Sequence, residues 1–183
     1  MPRTTLFTQR LSRNKAASDQ LIEVIDAANR PLLHMPLELI RRQSLRHKAI
    51  AVCIRNKHGH IFLHKHPEEG PPEHTGQWNF SATGHVLAGE SCYGAAKRRL
   101  YESLAVTGIE LHNVGTIAAS SITKNAEVSL FLSAKTAAIP QLREQDFWDG
   151  MFVDKEEFTA LARDFPHLVS PVLQLAEPRL FAV

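Results

Sequence analysis

The sequence predicts an α+β fold in which a mixed β-sheet is sandwiched between α-helices. Short β-rich runs recur along the chain, an amphipathic segment divides them into two groups, and a second helix signal follows the last run. The chain has 183 residues, of which 44% are hydrophobic and 22% charged, which is ordinary for one globular domain. We expect a single domain over residues 19–183, preceded by a flexible N-terminal arm at residues 1–18.

The order of the elements follows from local patterns. The first two β-rich runs predict a hairpin that extends the domain at its N-terminal side, and a helix-like segment follows at residues 36–47. Later runs predict further strands. Taken together, the strand patterns fall at residues 21–26, 32–36, 47–55, 60–66, 77–85, 109–118, 127–134 and 151–153. Asp154 with Glu157 three residues later predicts a capping box that opens the last helix.

The amphipathic segment lies at residues 92–104. Ala95, Ala96, Leu100 and Leu104 recur at helical spacing, so this segment is expected to bury one stripe against the sheet. Residues 67–76, which precede it in the chain, are rich in Pro and Gly and predict a mobile loop beside a cleft.

A sequence signature surrounds this helix. Gly84 is followed after five residues by Glu90, then after seven residues by Arg98, and the run closes on Leu100, Glu102 and Val106. This register resembles the Nudix box, G-x5-E-x7-R-E-U-x-E-E-x-G-U, where U is apolar. Six of nine defined positions match. Arg99 and Ser103 stand where the box has glutamates, and Ala105 stands where it has its closing glycine.

The resemblance implies a Nudix fold and an activity on diphosphates. In the family the box carboxylates bind Mg²⁺ or Mn²⁺, which prefer oxygen ligands and bridge diphosphate oxygens. Here it implies Glu102 as a catalytic carboxylate and metal ligand, with Gly84, Glu90 and Arg98 as the structural brace of the box. An arginine beside a single carboxylate opposes cation binding, so the box is degenerate. We expect residues 99, 102 and 103 to share one helix face.

The chain also resembles the branch related to type I isopentenyl-diphosphate isomerase, over roughly residues 20–175. That branch holds its metal largely through residues outside the box helix, and the resemblance implies His47, His85 and Glu127 as ligands, with Glu127 also catalytic. Two imidazoles and a carboxylate would suit Zn²⁺ or Mn²⁺. The isomerases place a catalytic cysteine before their Gly-His pair, whereas this chain has Thr83, whose hydroxyl cannot supply the same proton transfer.

Three functions therefore stay open. The first is a metal-dependent hydrolase that cleaves a diphosphate linked to another moiety. The second is a catalytically silent Nudix-fold protein that binds such a ligand or a partner protein, and the third is an isomerase relative. We rank the hydrolase first, with a divalent metal as cofactor and a small-molecule diphosphate as substrate.

Bulk properties limit the remaining partners. The net charge of +2 implies no general affinity for nucleic acid, and no apolar run is long enough for a membrane span. Two distant cysteines without CxxC spacing indicate a reducing compartment, so we expect a cytoplasmic protein. The basic residues 1–18 leave a transit peptide as the alternative. The N-terminal hairpin offers an edge through which a homodimer could form.

Overall fold

The computed structural model describes residues 20–65, 76–141 and 149–182. The predicted arm at residues 1–18 lies outside these ranges, as does the predicted mobile loop except for Gly76. The described residues form nine strands: β1 (Leu21–Ile25), β2 (Pro31–Pro36), β3 (His47–Arg55), β4 (Ile61–Lys65), β5 (Trp78–Asn79), β6 (Ala82–His85), β7 (Leu111–Ile117), β8 (Ala126–Lys135) and β9 (Asp149–Val153). The helices are α1 (Leu37–Arg42), α2 (Cys92–Leu104), α3 (Lys155–Asp164) and α4 (Pro171–Leu180), with a 3-10 turn at Pro166–Leu168.

Strand β3 is the centre of one mixed sheet. It pairs in parallel with β8 along most of its length, and antiparallel with β1, β6 and β4 at successive positions. The hairpin β1–β2 adds to the sheet beyond β3, as the sequence predicted. A strand buried on both faces reads as a continuous apolar run, and residues 49–54 of β3 are all buried.

The two faces of the sheet bury separate apolar clusters. On one face Ile50 and Val52 of β3 pack with the buried stripe of α2, which includes Ala96 and Leu100. On the other face the alternate residues of β3 and β8 pack with α3 and α4. The sheet therefore lies between helices, and the predicted α+β class is confirmed.

Helix α2 has the bounds that the apolar spacing predicted. Ser91 caps its N-terminus, because the Ser91 hydroxyl accepts a hydrogen bond from the Gly94 N–H at 3.0 Å. Ala105 ends the helix with a left-handed backbone, φ 57° and ψ 20°. This conformation favours glycine, which the Nudix box has at this position.

Two predicted elements differ from the observed ones. The helix expected over residues 36–47 ends at Arg42, and Ser44 then takes a positive φ of 53° before β3 begins. The run at residues 77–85 is two strands, β5 and β6, separated at Phe80 and Ser81. The buried Ser81 hydroxyl accepts from the Ile54 N–H at 2.8 Å and donates to the Phe62 carbonyl, so at the break it connects β3 with β4. Among the described residues no helix is both long and apolar enough to cross a bilayer.

Candidate functional site

A pocket of about 550 Å³ opens on the sheet face that carries α4. Its floor includes Ala49 and Ala51 of β3 and Val128 of β8, and the start of α4 forms one wall. Residues of the N-terminal extension form another wall. The pocket therefore joins three parts of the chain that are far apart in sequence.

The charged side chains among the described residues that line this pocket are all basic. The described residues that line it include four cationic side chains and two histidines, and none of them is Asp or Glu. The six are Arg41, His47, His85, Arg98, Arg99 and Lys124. A concave site with cations and no carboxylate attracts anions and repels free metal cations.

His47 and His85 lie side by side in the pocket. Their ring centroids are 5.1 Å apart, and His85 pairs in register with Ala49, two residues after His47, so both rings lie on one sheet face. His47 Nδ1 donates to the Leu45 carbonyl at 3.0 Å, which leaves its Nε2 unprotonated in the neutral ring. His47 Nε2 and His85 Nδ1 are buried and have no hydrogen-bond partner among the described residues.

Both imidazoles are neutral at physiological pH. Burial lowers the pKa of His47; its bond to Leu45 opposes this, and the charge of Arg41 lowers the pKa further. Burial likewise lowers the pKa of His85 to about 3, and His47 and three nearby arginines add to the effect. These rings therefore offer hydrogen-bonding nitrogens, not charge.

Glu127 does not join the two histidines. The parallel register pairs Glu127 with Lys48 and His47 with Ala126, so the Glu127 side chain lies on the opposite face of the sheet from His47. Its carboxylate instead accepts a hydrogen bond from Arg46 Nη2 at 2.9 Å. The predicted arrangement of two histidines and Glu127 around one ion is not assembled in the structure.

Glu102 does not line the pocket but pairs with two arginines that do. Its side chain is 40% exposed on α2, and its Oε2 atom accepts hydrogen bonds from Arg98 Nη1 at 3.2 Å and Arg99 Nη1 at 2.9 Å. Positions 99, 102 and 103 are i, i+3 and i+4 of α2 and therefore share one side of the helix, on which Ser103 is fully buried.

Glu90 and Arg98, two of the three box residues expected to act as a brace, lie in one hydrogen-bond network. Arg98 donates to both carboxylate oxygens of Glu90, each at 2.9 Å, and to the His85 carbonyl at 3.1 Å. Glu90 also accepts from the Leu87 N–H at 3.1 Å. Burial raises the pKa of Glu90, but the hydrogen bonds from Arg98 and Leu87 outweigh burial and lower it.

Arg99 occupies the position at which the box normally has a glutamate, and its side chain hydrogen-bonds to the backbone. Its Nε donates to the Thr83 carbonyl at 2.8 Å, and its stem covers Gly84 so closely that an added Cβ would lie 2.7 Å from Arg99 Cγ and Cδ. Arg98 and Arg99 thus satisfy two carbonyls on the edge of β6 that β3 does not pair.

The side chains present do not fit the divalent metal that the family implies. No group of three or more His, Cys, Asp or Glu residues within residues 20–65, 76–141 and 149–182 is placed to hold an ion. Two histidines supply fewer ligands than the three or four protein ligands of typical zinc sites. Glu102 and Glu127, the predicted catalytic carboxylates, each accept hydrogen bonds from arginine.

Sequence reasoning missed Arg41 and Lys124 as pocket residues. Arg41 lies within the helix predicted over residues 36–47, in a pattern that is common on exposed helices, and nothing in its spacing indicates a cleft. Lys124 had a weak signal, because it lies in a Ser/Thr/Lys/Asn turn. Lys124 and Asn125 both take positive φ values, 52° and 60°, and backbone strain of this kind clusters at functional sites.

Comparison with known proteins agrees with this architecture. The NUDIX domain model matches residues 45–172. The chain therefore belongs to the Nudix hydrolase family.

Three known proteins are similar to the chain. An uncharacterized Nudix hydrolase of Yersinia pestis is 26% identical over 54% of this chain, and the match spans about half, 54%, of that protein. An isopentenyl-diphosphate Delta-isomerase of Cereibacter sphaeroides is 24% identical over 77% of this chain and 83% of the isomerase. The structure of DR0079 from Deinococcus radiodurans has a TM-score of 0.73 at 15% identity, covers 88% of this chain and 99% of its own, and shows the shared fold.

Proposed function

We propose that this Nudix domain binds a small molecule bearing a diphosphate, and that basic side chains hold the anion directly, without a bridging metal. The observation that carries the proposal is the pocket of about 550 Å³, which has four cationic side chains and no carboxylate among its described lining residues. Hydrogen bonds from charged donors to phosphate oxygens are the stronger class of such bonds.

The pocket is divided by charge, which supports a ligand with two chemically different parts. The four cations and the two histidines lie toward the start of β3 and the β6 edge. Gln77, Asn79 and Ser170 line the part toward β5 and α4, and they are uncharged. The Asn79 amide oxygen accepts from the Phe80 N–H and the Ser170 hydroxyl, which fixes its orientation. An uncharged polar group attached to the diphosphate would suit this part.

Calorimetric titration with inorganic pyrophosphate in EDTA tests the proposal. We expect saturable binding without a divalent metal, weakening as salt is added because the contacts are ionic. Lys124→Gln removes a pocket cation and should weaken binding about tenfold. Lys97→Gln removes an exposed cation of α2 outside the pocket and is the matched control. Absence of binding in EDTA, or equal effects of both variants, would contradict direct anion binding.

Metal-dependent hydrolysis of a diphosphate linked to another moiety is the second candidate. Membership of the Nudix hydrolase family favours it. Its test is release of phosphate or a monophosphate from diphosphate compounds in Mg²⁺, Mn²⁺ or Zn²⁺, compared with EDTA. Turnover that needs metal and is lost in Glu102→Gln would establish hydrolysis. Absence of turnover across these metals would leave the binding function.

A further inference from the structure

The N-terminal extension contributes to the pocket although it precedes the family match. Residues 45–172 match the NUDIX domain, whereas Ile22 of β1 and Leu37 and Arg41 of α1 line the pocket. The extension is firmly packed, because Ile40 is fully buried in a cluster with Ile22. The Leu45 N–H also donates to the Ile40 carbonyl at 2.9 Å. Ile40, the residue before Arg41, is therefore fixed through both its side chain and its backbone.

Arg41 differs from the two arginines of the box. Arg98 is hydrogen-bonded to Glu90 and Glu102, and Arg99 to Glu102. No carboxylate within the described ranges lies at ion-pair distance from Arg41, which is exposed at the end of α1. Arg41 nonetheless lies close enough to the buried rings for its charge to lower the pKa of both His47 and His85.

The neighbouring His47 ring adds a hydrogen-bonding preference. Its Nδ1 donates to Leu45, so the buried Nε2 can only accept a hydrogen bond. A phosphate at the end of a chain has three non-bridging oxygens and can present a P–OH, whereas a phosphate substituted on both sides cannot. The terminal phosphate also carries more negative charge, which suits a guanidinium that pairs with no carboxylate of the described residues.

We infer that Arg41 is the specificity-determining residue of this pocket and selects ligands that end in a free phosphate, such as diphosphate monoesters, over diphosphates esterified at both ends. This inference rests on the proposed function and names its ligand class. The guanidinium lies on an element outside the matched NUDIX residues, so the selectivity belongs to the extension.

Calorimetry with two matched probes tests the inference. Methyl diphosphate has a free terminal phosphate, and P1,P2-dimethyl diphosphate has none. The wild type should prefer the monoester by about ten- to a hundredfold, the value of one charge-assisted hydrogen bond. Arg41→Gln should remove most of that preference, while Arg42→Gln, an exposed neighbour on the same helix that does not line the pocket, should keep it.

The possible failures differ from one another. If neither probe nor pyrophosphate binds the wild type, the proposed function and this inference both fail. If the probes bind but the wild type does not discriminate, or if Arg41→Gln discriminates as well as Arg42→Gln, the assignment of Arg41 is overturned and direct anion binding stands. Circular dichroism of both variants shows that any loss comes from a folded protein.

Discussion

The packing of Arg99 on Gly84 makes a prediction about stability that a double-mutant cycle can measure. In Gly84→Ala the new Cβ would lie 2.7 Å from Arg99 Cγ and Cδ and 2.8 Å from Nε, well inside van der Waals contact. Gly84 has no positive φ, so backbone strain does not contribute. The three nearest atoms all belong to Arg99, so relieving these contacts requires the arginine stem to move.

The free-energy cost of Gly84→Ala follows from the contacts of Arg99 that this movement would break. Arg99 would give up its hydrogen bond to the Thr83 carbonyl at 2.8 Å, and its contact with Glu102 at 2.9 Å would weaken. A hydrogen bond from a charged donor is worth about 1.5–3 kcal/mol and a half-exposed ion pair less than about 1 kcal/mol. We therefore expect Gly84→Ala to destabilise the fold by about 1–3 kcal/mol, which is also the usual range for overpacking.

Urea unfolding of four proteins measures the coupling: wild type, Gly84→Ala, Arg99→Ala and the double variant. Removal of the stem takes away the three closest contacts of Ala at position 84, so the cost of Gly84→Ala should fall by about 1–2 kcal/mol in the Arg99→Ala background. A coupling energy below about 0.5 kcal/mol would mean that the two residues act independently. The glycine of the box would then have a role other than making room for Arg99.

Three further predictions concern stability and pH. Ala105→Gly should raise the stability by about 0.5–1 kcal/mol because Ala105 has φ 57°, whereas Ala160→Gly within α3 should lower it by a similar amount; thermal melts that shift both the same way would contradict this. The pKa of His85 is lowered to about 3 in the folded protein, whereas in the unfolded chain it is near 6.5. The unfolded state therefore binds the proton first, and the stability that the neutral His85 ring gives is complete above about pH 6.5 and is lost as the pH falls toward 3. Between pH 7 and 4 the free energy of unfolding, measured with urea, should therefore fall less steeply in His85→Asn than in the wild type. The same dependence on pH in both proteins would count against a buried neutral His85 ring. Glu90→Gln should destabilise the protein at pH 7, where the lowered pKa of Glu90 keeps it ionised against Arg98, and this difference should shrink below about pH 4; a penalty that is constant with pH would exclude the ion pair as its cause.

Much of the fold could be predicted because its signals are local. The bounds of α2 follow from apolar residues at helical spacing, and the capping box at Asp154 and Glu157 is present as expected. The brace of Glu90 and Arg98 follows from the family register and is present in the structure. Each of these features depends on residues that are close in sequence, so their spacing carries enough information.

The candidate site was only partly predictable because it depends on which way side chains point after the strands pair. His47 and His85 were named together and lie together. Glu127 was named with them and lies on the other face, because it pairs with Lys48 and successive residues of a strand point to opposite faces. Arg41 and Lys124 reach the pocket from a helix and a turn that carry no signal of this kind.

The sequence by itself determined the family, the sheet-and-helix architecture and the loss of two box glutamates, since these follow from residue types at fixed spacing. Only the tertiary structure decided the charge of the pocket. Arginine side chains pair with Glu102 and Glu127, and four cations line the same pocket as the two histidines, an arrangement that depends on three-dimensional packing. Charge interactions act over distances of a few ångströms, so the chemistry of this site depends on neighbours that the linear order of residues does not reveal.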